Sequence, residues 1–258
     1  EFHIPGQRRG YRDAHGGAGW TDLRKSISES VNYYYYKLAY EMGIRTFADY
    51  MHRYGFGQPT GIDLAGENAG VVPSPQWKAS RTKENWYPGE TVIAGIGQGY
   101  WIATALQLAR ATAAIANGGD LRRPHLVAQR RDGFEAPWSA LPQPKPTRIT
   151  DNAAHLRAVQ EGMMATIHGG GTGAAMARGA PYLMAGKTGT AQKVSRKGSA
   201  SVDPHNQPYH LRHQALFVGY APADNPKIAV AVVVEHGGYG GSTAAPIASP
   251  AITMPFQP

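Results

Sequence analysis

The apolar pattern of the chain changes period once, near residue 180, and this change constrains the fold more than any other feature. Before it, apolar residues recur at helical spacing in several segments. After it, three runs are typical of β-strands: "YLMAGKTGTAQKV", "HQALFVGYAP" and "KIAVAVVVEHGG". The last two are joined by "PADNP", a hairpin-type connection. Helices followed by an antiparallel sheet predict an α+β domain.

The predicted elements belong to one domain that includes all 258 residues. The helical part covers about residues 21–168, the strands lie within about 182–236, and a final helix covers about 244–253. We predict one continuous helix from Thr21 to Gly43. It contains four consecutive tyrosines, which cannot all share one face, so we expect it to be buried all round.

A second helix is predicted at Arg45–Tyr54, where large apolar residues recur at helical spacing. Residues 55–100 are rich in glycine, proline and tryptophan, and we expect them to be mostly irregular. The polar insertion 195–212 separates the first two strands. We expect it either to overhang a site beside the first strand or to be a surface loop without a role.

The net charge of the chain is +8, from 26 lysines and arginines against 18 acidic residues. A basic balance favours polyanionic partners, but here the basic residues are scattered, which argues against nucleic acid. The absence of cysteine excludes disulfides and thiolate metal sites. No apolar run approaches the ~20 residues of a membrane helix, so we expect a cytosolic chain or a piece of a longer protein.

The segment "AGKTGT", Ala185–Thr190, fits two unrelated chemistries. A phosphate-binding loop has the form G-x-x-x-x-G-K-[ST]. Its first glycine would fall at Pro181, which has no N–H to donate and cannot adopt a positive φ. The run after the motif is also extended rather than helical. These observations disfavour a phosphate loop.

The second chemistry is that of serine acyl-transfer enzymes, in which Lys-Thr-Gly lies at a sheet edge. A substrate that ends in a carboxylate needs a cation and hydroxyl donors, and its scissile carbonyl needs N–H groups for the developing oxyanion. Gly189 suits this edge because a side chain there would block a substrate lying along the strand. This chemistry also requires S-x-x-K and Ser-x-Asn elements elsewhere.

Several segments in the expected order resemble the penicillin-binding transpeptidase family. They are Ser30-Val31-Asn32, "GIGQGYWIATALQLARATAAIANGG", "GAPYLMAGKTGTAQ" and "RHQALFVGYAP". "YEMGI", "YGFGQPTGIDL" and "NWYPGE" resemble the penicillin-binding protein 2 class more closely, which contains the class B D,D-transpeptidases of cell elongation. The resemblance covers about residues 10–250. It implies the penicillin-binding/β-lactamase-like fold, an antiparallel sheet flanked by helices, here incomplete at its N-terminal side.

The resemblance also implies roles for individual residues. Ser30 resembles the serine that relays a proton to the leaving amine, and Asn32 the asparagine that binds the substrate amide and the lysine partner of the nucleophile. Lys187 resembles the lysine that sets the electrostatics of this cluster. The hydroxyls of Thr188 and Thr190 resemble those that bind the terminal carboxylate, of a stem peptide or a β-lactam. The N–H of Thr190 corresponds to half of the oxyanion hole.

The S-x-x-K nucleophile of the family should lie upstream of Ser30, and no such motif occurs there. The match at Ser80–Lys83 lies downstream, in a polar segment where the lysine would be solvated, so we interpret it as a surface pair. We therefore expect the nucleophile to precede Glu1 and this chain alone to be inactive. The first strand of the family's sheet would also be upstream, so residues 230–235 should form an unpaired edge.

The resemblance implies a peptidoglycan D,D-transpeptidase that acts on D-Ala-D-Ala stem peptides, binds β-lactams and needs no cofactor. It implies a cell-elongation complex with a membrane glycosyltransferase, at the periplasmic face of the inner membrane, with an N-terminal anchor helix upstream of this chain. A non-catalytic cell-wall scaffold of the same fold remains an alternative. A β-lactamase is less favoured because no water-activating base can be assigned.

Two further groups of residues have open interpretations. Histidine groups could form a metal site, but without cysteine or a convergent carboxylate we interpret them as solvated. They are Asp13 with His15, and His205 with His210 and His213. Three tryptophans could form a glycan platform, although packing is their more common role. They are Trp77, Trp86 and Trp101.

Overall fold

The structure is a computed structural model that describes residues 1–13, 16–193 and 207–253. A three-stranded antiparallel sheet is packed between helices, which confirms the predicted α+β class. The α-helices are α1 (Leu23–Ser28), α2 (Asn32–Met42), α3 (Ile44–Arg53), α4 (Pro75–Thr82), α5 (Pro88–Ala94), α6 (Ala105–Ala116), α7 (Ala153–His168) and α8 (Ala245–Thr253). The strands are β1 (Phe2–His3), β2 (Gly10–Tyr11), β3 (Asp120–Leu121), β4 (Gln129–Arg130), β5 (Ser139–Ala140), β6 (Thr147–Arg148), β7 (Ala185–Ala191), β8 (Gln214–Ala221) and β9 (Ile228–Val234).

The main sheet has the order β7-β8-β9, and alternate residues of β8 pack on its two faces. Phe217 is fully buried with Ile252 of α8 on one face. Tyr220 packs with Ile27 of α1 and Met163 of α7 on the other. Within the described residues, β9 pairs only with β8, so its outer edge is unpaired, as the sequence predicted for residues 230–235.

The helix predicted from Thr21 to Gly43 is in fact two helices, α1 and α2, which meet at a turn at Ser30. The predicted all-round burial of this segment is also wrong. Tyr33 in α2 is 41% exposed, while Tyr36 and Ala39 of the same helix are buried. A tyrosine tolerates this position because its hydroxyl can stay in water while the ring packs.

Residues 55–100 are mostly irregular, as predicted, but they also contain two short helices that the sequence did not suggest, α4 and α5. Ser74 caps α4 by accepting a hydrogen bond from the N–H of Trp77 at 3.1 Å, with Pro75 in the first turn. Prolines favour the first turn of a helix, where no N–H is needed. The prolines that suggested irregular structure therefore mark helix starts. Among the described residues, no helix is long and apolar enough to cross a membrane.

Candidate active site

Lys187 and Ser30 lie in contact although 157 positions separate them in the chain. Lys187 is in β7, and its Nζ donates hydrogen bonds to Ser30 Oγ at 2.9 Å and to the carbonyl of Thr188 at 2.7 Å. Strand alternation directs Lys187 to the same sheet face as Tyr220, where α1 packs. Ser30 lies in the turn that follows α1, on the same face of the sheet.

The ammonium group of Lys187 has no carboxylate within ion-pair distance among the described residues. Burial disfavours the charged form of a lysine. Desolvation accordingly lowers the pKa of Lys187 from 10.5 to about 8. A lysine with such a pKa exchanges protons readily near neutral pH, so Lys187 and the Ser30 hydroxyl form a possible route for a proton.

Ser30 occupies a backbone conformation that normally favours glycine, with φ = 59°. The N–H of Val31 donates to the carbonyl of Ser26 at 3.0 Å, and the N–H of Ser30 donates to that of Ile27 at 3.3 Å. This pair of bonds is the Schellman motif that ends a helix, with a serine where glycine is usual. A non-glycine residue in such a conformation is a strained position, and strained positions cluster at functional sites.

Thr188 and Thr190 project to the sheet face opposite Lys187, because side chains alternate along a strand. The hydroxyl of Thr188 forms a 2.7 Å hydrogen bond with the hydroxyl of Thr172, in the loop that follows α7. The hydroxyl of Thr190 makes no hydrogen bond with any described residue. Thr190 therefore retains a donor for a ligand.

The outer edge of β7 is fixed by Gln98, which the sequence did not single out. Its amide nitrogen donates to the carbonyl of Thr190 at 2.7 Å, and its amide oxygen accepts from the N–H of Gln192 at 3.1 Å. The carbonyl of Thr188, on the same edge, accepts a hydrogen bond from Lys187 Nζ. Because the N–H and C=O of one residue project to the same edge, the N–H of Thr190 lies on this edge beside two occupied carbonyls. The edge therefore offers donors rather than acceptors.

Asn32 is the first residue of α2, two positions after Ser30. Its backbone N–H donates to the carboxylate of Asp13, which also accepts from the N–H of Tyr33 at 3.2 Å. Asp13 thus satisfies two free N–H groups at the helix start, where a negative charge is favourable. Within the described ranges the side-chain amide of Asn32 makes no hydrogen bond, and no bond to Lys187 is formed.

Glycines allow the segment 240–244 to pack directly onto the sheet beside Gly189. A Cβ atom built on Gly240 would lie 2.3 Å from the carbonyl oxygens of both Gly189 and Leu216. On Gly189 itself, a Cβ atom would lie 3.3 Å from the Cβ of Leu216. The close approach of two backbones therefore requires glycine at position 240, whereas a side chain at position 189 would meet only the side chain of Leu216 on the neighbouring strand.

The Ser80–Lys83 match does not join this cluster. Ser80 is exposed and donates to the carbonyl of Trp77 within α4, and exposed Lys83 ends that helix with φ = 59°. The pair is a surface pair as predicted, although it lies in a helix rather than a loop.

The histidine groups give no metal centre in the part of the chain that the structure describes, where no group of three metal-ligating side chains occurs. His15, His205 and most of the 195–212 insertion lie outside the described residues. Of the tryptophans, Trp101 packs against Phe47 and Phe56, with ring centroids 6.0 and 5.5 Å away.

The profile of the penicillin-binding protein transpeptidase domain matches residues 3–253, so the chain belongs to that family. Its relatives include the peptidoglycan D,D-transpeptidase MrdA of Haemophilus influenzae, which is 40% identical over 247 residues. That match covers 95% of this chain and 38% of the relative, so the chain spans well under half the length of that protein.

Solved structures of the penicillin-binding protein 2 class are similar to this fold. PBP2 of Pseudomonas aeruginosa has a TM-score of 0.82 at 39% identity, over 96% of this chain and 50% of that one. PBP2 of Helicobacter pylori, solved in a complex with MreC, has a TM-score of 0.75 at 31% identity, over 93% and 40% of the two chains. These likenesses confirm the predicted resemblance to that class.

Proposed function

We propose that this chain is part of a peptidoglycan D,D-transpeptidase that cross-links the cell wall during elongation. The observation that carries the proposal is the desolvated Lys187, 2.9 Å from the strained Ser30 and beside the donor edge of β7. An edge of N–H donors suits the carbonyl of an extended peptide, and the free hydroxyl of Thr190 suits its terminal carboxylate. The family membership of the chain supports the same reaction.

The proposed reaction has two steps on a stem peptide that ends in D-Ala-D-Ala. A serine hydroxyl attacks the carbonyl of the penultimate residue, the terminal D-Ala leaves with a proton on its amine, and an ester to the enzyme remains. The amine of a second stem peptide then attacks the ester, a new peptide bond forms, and the serine recovers its proton. The peptide bond that is broken balances the one that is made, so no external energy source is required.

Each described group has a role in these steps. Ser30 passes a proton between the nucleophile and the leaving amine, with Lys187 as the neighbouring proton-exchanging group. The N–H of Thr190 binds the oxyanion that develops on the carbonyl. The hydroxyls of Thr188 and Thr190 bind the terminal carboxylate, and the free amide of Asn32 binds the peptide amide.

The nucleophile is proposed to come from an S-x-x-K segment outside these 258 residues, because Ser80 and Lys83 are exposed and Ser80 bonds within its own helix rather than to Ser30 or Lys187. The whole protein is proposed to lie at the periplasmic face of the inner membrane, held by an N-terminal helix. Its proposed partners are β-lactams and a cell-elongation complex with a membrane glycosyltransferase. The complex between H. pylori PBP2 and MreC supports such an assembly.

The test is the rate at which a fluorescent penicillin labels the full-length protein and its variants. Wild-type protein should be labelled, Lys187→Met should be labelled roughly 100-fold more slowly or worse, and Ser80→Ala should match the wild type. The 258-residue chain alone should gain no penicilloyl mass. Labelling of that short chain, or normal labelling of Lys187→Met, contradicts the proposal.

The same assay separates the alternative of a non-catalytic scaffold. A scaffold would bind sedimented peptidoglycan yet show no label on the full-length protein at any concentration of the fluorescent penicillin. Release of D-Ala from a pentapeptide substrate, followed in parallel, gives a second readout of the proposed reaction.

A further inference from the structure

A cavity that is lined in part by the loop after Gln98 has walls suited to a ligand. Its volume is about 500 Å³, which is in the range of small-molecule and peptide pockets. It lies between the β1–β2 hairpin, the start of α5 and the loop after Gln98. Aromatic side chains form much of its wall: Tyr11, Trp86, Tyr87 and Tyr100.

The cavity contains one carboxylate, but this group is already neutralised. The carboxylate of Glu90 accepts from Lys78 Nζ at 2.6 Å, from the Tyr100 hydroxyl at 3.2 Å and from the N–H of Tyr87 at 2.7 Å. Lys78 is itself buried, with 1% of its side chain exposed, so this ion pair is part of the wall. Glu90 therefore offers little attraction for a cationic ligand.

Arg9 is the charged group of this cavity that remains available. It is exposed, lies 5.5 Å above the ring of Tyr11, and forms no ion pair with any residue that the structure describes. A guanidinium presents several donors in a fork that matches a carboxylate. An aromatic wall beside a free guanidinium suits a ligand with a flat, partly apolar body and a carboxylate.

The cavity is connected to the β7 edge through consecutive residues. Gln98 bonds to Thr190 and Gln192 on that edge, and the next two residues, Gly99 and Tyr100, line the cavity. The wall of the cavity and the residue that bonds to the β7 edge are therefore consecutive in the chain, which favours a ligand in the cavity close to a peptide along β7. The proposed reaction needs such a second molecule, because the amine that attacks the acyl ester comes from another strand.

We propose that this cavity binds the acceptor strand of peptidoglycan, through a sugar ring and the carboxylate-bearing start of its stem peptide. The inference rests on the proposed function. The C–H faces of a pyranose pack on the rings of Trp86 and Tyr87, and Arg9 binds the carboxylate. The cavity thereby positions the acceptor, while the β7 edge holds the donor peptide.

The experiment uses the full-length protein and a disaccharide-tripeptide probe, N-acetylglucosaminyl-N-acetylmuramyl-tripeptide. This probe lacks D-Ala-D-Ala and so cannot act as a donor. Saturation-transfer NMR should show transfer to its sugar protons, and titration should show binding that Arg9→Gln and Tyr87→Ala each weaken roughly tenfold. Arg9 is exposed, so Arg9→Gln should unfold at the wild-type temperature. The ring of Tyr87 lies 4.8 Å from Nζ of the buried Lys78, so the unfolding temperature of Tyr87→Ala is measured together with its binding.

Arg131→Gln provides the matched control, because Arg131 also lies over aromatic rings, at 5.3 Å from Phe134 and 5.0 Å from Trp138, on a different part of the chain. It should bind the probe like the wild type. The tripeptide without sugar and the disaccharide without peptide should each bind more weakly than the intact probe. Equal binding of the peptide alone would exclude the sugar contact.

Fluorescent-penicillin labelling separates this inference from the proposed function. Arg9→Gln and Tyr87→Ala should be labelled at the wild-type rate and yet form fewer cross-links between two strands. Normal labelling together with probe binding that neither variant changes overturns the acceptor site and leaves the transpeptidase proposal standing. No labelling of any protein overturns the transpeptidase proposal, and the acceptor assignment with it, even if the probe still binds.

Discussion

Lys187 Nζ and Ser30 Oγ are 2.9 Å apart, and this contact joins the end of α1 to the strand β7. Ser30 has a strained backbone conformation and Lys187 has a desolvated amine, so each residue lowers the stability of the fold by itself. The hydrogen bond between them offsets part of this cost. Stability measurements on the two residues can therefore test the geometry of the site without any substrate.

The buried amine of Lys187 should make stability depend on pH in a defined window. Its folded pKa, about 8, is below its ordinary value of 10.5. Between these values the unfolded chain binds a proton that the folded chain does not, so the free energy of unfolding should rise with pH from about 8 to about 10.5. Below about pH 8 the full penalty applies, about 3 kcal/mol in order of magnitude.

Lys187→Met should remove this dependence, because methionine fills a similar volume and does not titrate. Urea unfolding of both proteins across the window measures the difference, in which the titration of all other groups cancels. An identical rise in the variant would mean that Lys187 is solvated.

The left-handed conformation of Ser30 predicts an unusual order of stabilities. Both Ser30→Ala and Ser30→Gly lose the hydrogen bond to Lys187, but only glycine relieves the strain at φ = 59°. The glycine variant should therefore be more stable than the alanine variant by about 1 kcal/mol. At Ser28, the last helical residue of α1, the order should reverse, because glycine has a lower helix propensity than alanine. Chemical denaturation of the four variants tests this, and the same order at both positions would refute it.

Gln98 should protect the edge of β7 from solvent exchange. Gln98→Ala removes the acceptor for the N–H of Gln192 and the donor for the carbonyl of Thr190. We expect a loss of about 1 kcal/mol in unfolding free energy and faster hydrogen exchange at the Gln192 amide. Gln76→Ala, at an exposed position in α4, should change neither quantity. Unchanged exchange at Gln192 would show that the side chain does not hold the edge.

The close packing of the 240–244 segment on the sheet predicts a large effect of a small side chain. Gly240→Ala would place a methyl group 2.3 Å from two carbonyl oxygens of β7 and β8, so one backbone segment must move. We expect a loss of about 1–3 kcal/mol, measured by thermal or chemical unfolding. Gly17→Ala, where no atom lies within 4 Å of the added methyl, should be close to neutral. Equal stability of the two variants would contradict the observed packing.

Local patterns in the sequence predicted the elements whose signal is local. The change of period predicted the three strands that the structure contains as β7, β8 and β9. The helices predicted at Arg45–Tyr54 and at about 244–253 begin and end within one residue of α3 and α8. The same reasoning failed for α4 and α5, although Ser74 before Pro75 and Glu90 three residues after Tyr87 are recognisable helix starts. Pro75 and Pro88 were treated as residues that interrupt helices, whereas each lies in the first turn of a helix.

Tertiary relationships were beyond such patterns. Gln98 reaches Thr190 across 92 positions, and Asp13 caps a helix 19 positions away, so no local pattern connects them. The glycines on both sides of Gln98, each with positive φ, were a signal that the loop makes a close approach. The contact between Ser30 and Lys187 was expected only through the resemblance to a family.

The position of Gln98 on β7 also limits what can bind there. An incoming extended peptide adds to a strand by pairing with successive backbone groups. Gln98 already occupies the groups of Thr190 and Gln192 that such a peptide would need in order to continue. A peptide that paired with β7 in this way would therefore have to end near Thr190 or displace the side chain of Gln98. On the proposed function, the short free edge would thereby favour the end of a peptide over its middle, whatever side chains the peptide carries.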